Sequence, residues 1–145
     1  MNPSPVLAVL AATLLALIAT LHLYWALGGL WPGTDRATLK AKVLGGPAQM
    51  PFPGAPACLM VVAALALAMG IVLQLGGLLT WLPASLARRL GTGLAVMFLL
   101  RGLGGYGMQH LSYWRHSPTF NHLNHRLYSP LCLGIAALLG ALLST

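Results

Sequence analysis

Two residues in this chain are out of place for their surroundings. Arg101 follows the apolar run Met97, Phe98, Leu99 and Leu100, and His22 sits in an equally apolar stretch of the N-terminal segment. A guanidinium can bind an anion through paired N–H donors. An imidazole can move a proton or ligate a metal near neutral pH. Around these two the sequence supplies Trp25, Tyr106, His110, Asn121, His122, Asn124, His125 and Tyr128. Trp25 follows His22 at i+3 and therefore shares its helical face. His122 and His125 have the same spacing. As ligand-contacting residues we expect Arg101, His22, Trp25, Tyr106, Asn121, His122, Asn124, His125 and Tyr128. As chemical actors, His22 or His110 would be the general acid or base, and Arg101 would stabilise developing negative charge.

These residues need a scaffold, and composition fixes its class. The 145 residues are 58% hydrophobic and 6% charged, with a mean hydropathy of +0.81. Soluble domains carry about 25% charged residues. Four runs approach the roughly 20 apolar residues that a bilayer requires, at about 5–30, 54–80, 86–108 and 127–143. The runs are continuous, not alternating, so they read as helices. The expectation is an all-α, integral membrane four-helix bundle with up-down topology, forming a single domain over 1–145. The fourth span either starts at Ser129-Pro130 or begins upstream near Ser117-Pro118 and bends at Pro130. Residues 1–5 carry no positive charge and no clear cleavage site follows, so the first run reads as a retained span.

In that topology the ends of helices 1 and 3 and the starts of helices 2 and 4 meet at one mouth. Nearly every unusual polar residue falls there. Gln74, Trp81, Arg88 and Arg89 fall at the other end. Arg101 lies one or two turns below the surface, where an ionised residue marks a functional site by default. It either snorkels to the interface or lines a packed site, for which Gly102, Gly104 and Gly105 leave room. The single acid, Asp35, pairs with it only if the first loop folds inward; otherwise backbone, a tyrosine or an external anion must compensate the charge.

Net charge is +7, with eight Lys/Arg against one acid. The cations lie in short loops beside apolar runs, which points to anionic lipid headgroups and excludes nucleic acid as a partner. Arg36, Lys40, Lys42, Arg115 and Arg126 flank the first and third loops, against Arg88 and Arg89 in the second. This bias places both termini outside and the polar mouth in the cytoplasm. Gly-rich faces could also serve contacts between copies of the chain.

Several chemistries are disfavoured. There is no CxxC for disulfide exchange, and Cys58 and Cys132 read as buried thiols that a bond could join. No intramembrane carboxylate is present for proton-coupled export. His22, His110, His122 and His125 match no closed metal spacing, although imidazoles could hold a metal or haem. Pro56-Ala57-Cys58-Leu59 and Pro130-Leu131-Cys132-Leu133 form a faint internal echo, as do Gly28-Gly29 and Gly104-Gly105. Such an echo would fit two hairpins related by an axis along the membrane normal.

Three motifs carry a resemblance: His22-Leu23-Tyr24-Trp25-Ala26-Leu27-Gly28-Gly29, Arg101-Gly102-Leu103-Gly104-Gly105-Tyr106 and Tyr128-Ser129-Pro130-Leu131-Cys132-Leu133. Together they resemble a family of small four-span bacterial membrane proteins classed as a domain of unknown function. The resemblance covers nearly the whole chain. It implies a location in the bacterial cytoplasmic (inner) membrane and assigns no activity or cofactor. Many such relatives carry an acid before the tyrosine of the last motif; the corresponding region here offers Asn124.

From the residues, the leading reading is a binding protein. A pocket at the mouth would hold an amphiphilic or anionic small molecule or lipid. The alternatives are a membrane-embedded enzyme using His/Arg chemistry and a His-ligated metal or haem protein.

Overall fold

The computed structural model describes residues 4–145, and its regular elements are all helical among them. The long helices are α1 (Ser4–Ala26), α3 (Ala55–Leu75), α4 (Ala84–Gly107) and α6 (Ser129–Ser144). Two short ones, α2 (Arg36–Val43) and α5 (Pro118–Leu123), lie in the connections. A π-helical stretch, Asn124–Tyr128, joins α5 to α6, so that Pro118–Ser144 forms one apolar segment of 27 residues. The fourth run therefore starts at the upstream proline and is not interrupted at Pro130.

Three segments are long and apolar enough to cross a membrane: Ser4–Ala26, Ala55–Leu75 and Pro118–Ser144. Only 22–28% of each apolar window is buried inside the protein. Leu17, Met60 and Leu67 project outward at 52–69% exposure. Surfaces of that kind need hydrocarbon around them, not water.

The helices pack as two hairpins. α1 lies along α3 and α4 along α6, while α1–α6 and α3–α4 contacts join the pairs. Ala8, Ala11, Leu15 and Ala19 form one stripe on α1 and are almost completely buried. The small alanines let backbones approach closely. Leu15, Leu65, Val72, Phe98, Ile135 and Leu139 belong to one shared core. Cys58 and Cys132 are each the fourth residue of their helix, in α3 and α6.

Two spans end earlier than their apolar runs. After α1, Gly28 adopts φ +99°, Gly28 N–H donates to Trp25 O and Gly29 N–H to Tyr24 O. After α3, Gly77 adopts φ +75°, Gly77 N–H donates to Gln74 O and Leu78 N–H to Leu73 O. Both are glycine-closed helix ends that cap the last carbonyls. Hydropathy continues past them, so an apolar run alone overshoots to residues 30 and 80. At the second end, the Gln74 amide clamps the turn by donating to Leu82 O at 2.6 Å and accepting from Leu82 N–H at 3.0 Å.

The first connection contains α2, where a loop was expected. Asp35 caps it: its Oδ1 accepts from Thr38 N–H at 2.7 Å, and Asp35 N–H donates to Thr38 Oγ1 at 3.0 Å. The backbone bond to Thr38, aided by its hydroxyl, holds the Asp35 carboxyl below its ordinary 3.8. A carboxyl lowered on folding stabilises the fold above its unfolded value, and that contribution is lost as pH falls through the folded value. We therefore expect α2 amide protection at pH 5 and its selective loss below pH 3.8, read by hydrogen exchange. Unchanged protection would show that the cap is dispensable.

Candidate functional site

The ends of α1 and α4 and the starts of α3 and α6 enclose a cavity of about 1150 Å³ with α2, α5 and the loop before α3. Its walls are mainly apolar, with Ile18, Leu65, Phe98 and Leu131 toward the bundle interior. Cys58 and Cys132 also line it as free thiols.

Arg101 and His22 reach this same space. Arg101 sits six residues before the end of α4, roughly 9 Å below it at 1.5 Å per residue. Its guanidinium is half-buried and held from the fourth segment. Nη2 donates to Asn124 Oδ1 at 3.1 Å, while Asn124 Nδ2 donates to Gly105 O at 2.6 Å. Ser129 Oγ adds a longer contact to Asn124 Oδ1 at 3.4 Å. Asn124 and Ser129 are fully buried. The π turn brings Asn124 onto α4, and Gly105 lets it approach. A Cβ at Gly105 would collide with Ser129 Oγ and press on Arg101 Nη1. Arg101 Nη1 is buried with no acceptor among the described residues. Asp35, expected as a partner if the loop turned inward, instead stays exposed on its own cap.

His22 is oriented by its own helix. Its Nδ1 lies 2.8 Å from Ile18 O. A carbonyl only accepts, so Nδ1 carries a proton, and in the neutral ring the lone pair then falls on Nε2. Its ring meets Trp25 edge-on at 4.9 Å, and Trp25 meets Phe52 at 5.9 Å. Trp25 Nε1–H donates to Trp31 O at 2.7 Å, which satisfies the buried indole. Tyr128 lines the cavity and its hydroxyl donates to Lys42 O at 3.1 Å, tying α2 to the fourth segment. His122 lines the cavity from its open side.

The remaining expected residues lie elsewhere. Tyr106 and His125 meet each other edge-on at 5.1 Å, and neither lines the cavity. Asn121 donates to Trp114 O at 2.9 Å. His110 is exposed in the short 3-10 turn after α4, beside Gln109. Of the four histidines weighed as metal ligands, His22 and His122 line the cavity, and His110 and His125 do not. Among the described residues, no three of His, Cys, Asp and Glu come together as a metal site.

Sequence reasoning missed Phe52, Lys42 and the two cysteines as wall residues. The cysteines had a signal in their matched positions, each two residues after a proline. Phe52 lies in an irregular loop and had none.

The family model described as "Protein of unknown function (DUF3995)" matches residues 15–139. The chain belongs to this family. The matched region contains every residue of the Arg101 anchor and the cavity wall. No curated protein and no solved structure matches the chain. For this member of the DUF3995 family, then, the shown properties are apolar, membrane-type helices and a family without an assigned activity.

Proposed function

We propose that this chain is a four-span protein of the bacterial inner membrane that binds an amphiphilic or anionic small molecule or lipid in its large cavity. The cavity mouth faces the cytoplasm and both termini lie outside. The reading of α4 as a fourth span is supported by its 24 residues and by exposed Val96, Met97, Leu99, Leu100 and Leu103. Arg88, Arg89 and Arg101, with several glycines, lower its mean hydropathy, and Arg88 and Arg89 sit in its first turns, where a spanning helix meets the interface.

One observation carries the binding reading. A guanidinium recessed below the helix ends is fixed by a neutral amide inside a cavity whose other walls are largely apolar. An intramembrane charge held without a carboxylate favours a ligand oxygen as its further partner. Large apolar pockets with a few fixed polar groups are the usual form of small-molecule sites. Arg101 donates to an oxygen of the ligand's polar group, and the apolar body lies against Ile18, Leu65, Phe98 and Leu131.

The test is to purify wild-type and Arg101→Gln protein from native membranes and identify the bound molecules by mass spectrometry. We expect one amphiphilic species enriched with the wild type and reduced about tenfold in the variant, the loss expected when a charge-assisted hydrogen bond is removed. Identical profiles would refute the anchor.

An enzyme reading gains support only from His22, whose Ile18 bond makes Nε2 the lone-pair nitrogen of the neutral ring. With Arg101 in the same cavity, that nitrogen could act as a general base on a lipid-soluble substrate. Turnover of the co-purified species, lost in His22→Gln, would establish it; an unaltered species after prolonged incubation would exclude it.

A further inference from the structure

A second cavity, of about 560 Å³, lies outside the first, between α2, the 46–54 loop and the start of α5. Arg36, Lys40, Gln49, Ser117 and Thr119 line it. The two cavities share a wall: Phe52, Pro53, Pro118 and Thr119 line both. Phe52 is the residue that connects them physically. Its ring meets Trp25 on the inner side, and Arg36 Cζ lies 5.7 Å from its centroid. The aromatic series His22, Trp25, Phe52 therefore begins inside the membrane cavity and ends at a guanidinium at the surface.

The two spaces differ in chemistry. The inner walls are mostly hydrocarbon. The outer space has two cations, of which one is already engaged: the Lys40 stem is buried and its ammonium donates to Pro47 O. Arg36 is exposed, and its neighbour Asp35 is committed to the Thr38 backbone and hydroxyl. Arg36 is thus the positive charge that an incoming group would meet. Arginine pairs well with phosphate oxygens and keeps its charge beside an aromatic face.

We propose that the outer cavity is a headgroup subsite for an anionic lipid, with the phosphate at Arg36 and the acyl chains passing Phe52 into the inner cavity. This rests on the reading that the inner cavity holds an apolar body. A compact anion would leave the inner walls uncovered, and an uncharged lipid would make no use of Arg36. An anionic glycerolipid satisfies both spaces, and its ester carbonyl, deeper than its phosphate, meets Arg101.

The probes are dioleoyl phosphatidylglycerol and dioleoylglycerol, which share their chains and differ in the charged head. Each competes for the full-length protein in detergent, with occupancy read by native mass spectrometry. The wild type should prefer the charged lipid by about fivefold, the contribution of one basic residue near a membrane surface. Arg36→Gln should abolish that preference while leaving dioleoylglycerol binding intact, and Arg36→Lys should restore most of it. Arg36 is exposed, so its replacement leaves the core packing untouched. A preference unchanged in Arg36→Gln would overturn the headgroup subsite. If Arg101→Gln weakens both lipids while Arg36→Gln changes nothing, the subsite falls and the inner binding reading stands. If Arg101→Gln retains both lipids at wild-type occupancy, the underlying reading fails.

Discussion

Replacing Asn124 with leucine should lower the stability of the detergent-solubilised protein by about 2–3 kcal/mol, the usual range for leaving a buried charged hydrogen-bonding group without its partner. Asn124 is fully buried and serves two groups at once. It accepts from Arg101 and donates to Gly105 O, both on α4. Leucine keeps the branched shape of the side chain, so the loss is chiefly one of hydrogen bonds. Ser129→Ala is the control. Its contact to Asn124 is 3.4 Å long, and its removal should cost about 1 kcal/mol or less. Thermal unfolding followed by circular dichroism separates the two. Equal, small effects would mean that the guanidinium finds another partner without strain.

The second large effect is a contrast between adjacent glycines. Gly105→Ala drives a methyl into Ser129 Oγ and against Arg101 Nη1, whereas a methyl on Gly104 would have no neighbouring atom within 4 Å. We expect Gly105→Ala to destabilise by about 1–3 kcal/mol through overpacking and to displace Arg101 from its amide. Gly104→Ala should be neutral or stabilising by up to about 1 kcal/mol, because alanine is the better helix former. Gly105→Ala and Asn124→Leu act on one network, so their effects should not add. Unfolding midpoints of the two alanine variants that moved together would show that α4 and α6 do not meet closely here.

Much of this arrangement was legible in the chain. Arg101 stood out because four apolar residues precede it, and ionised groups are expensive there. His22 and Trp25 were joined by helical spacing alone. Other assignments depended on helix phase, which apolar runs on all sides do not reveal. Tyr106 is at the right depth but turns to His125, outside the cavity. Asn121 spends its amide on Trp114 O. Asn124 is absent from the cavity wall, and the π turn places it as a support for Arg101. That turn has no signature in composition. The α2 helix did have one, since Asp35 and Thr38 stand three residues apart as a capping pair, but its basic residues read as a loop. The 46–54 loop was opaque, because the prolines and glycines there set no periodicity from which Phe52 could be placed.

The central claim is that an amphiphile occupies the large cavity and is held by Arg101. A photo-crosslinking residue at Leu131, on the cavity wall, tests it most directly in intact membranes, with Leu103 on the outward side of α4 as the reference. The account predicts one discrete lipid-sized adduct at position 131 that is lost when Arg101 is replaced by glutamine, against a mixture of bulk lipids at position 103 in both backgrounds. The same bulk mixture at position 131, unaffected by the Arg101 substitution, would contradict it.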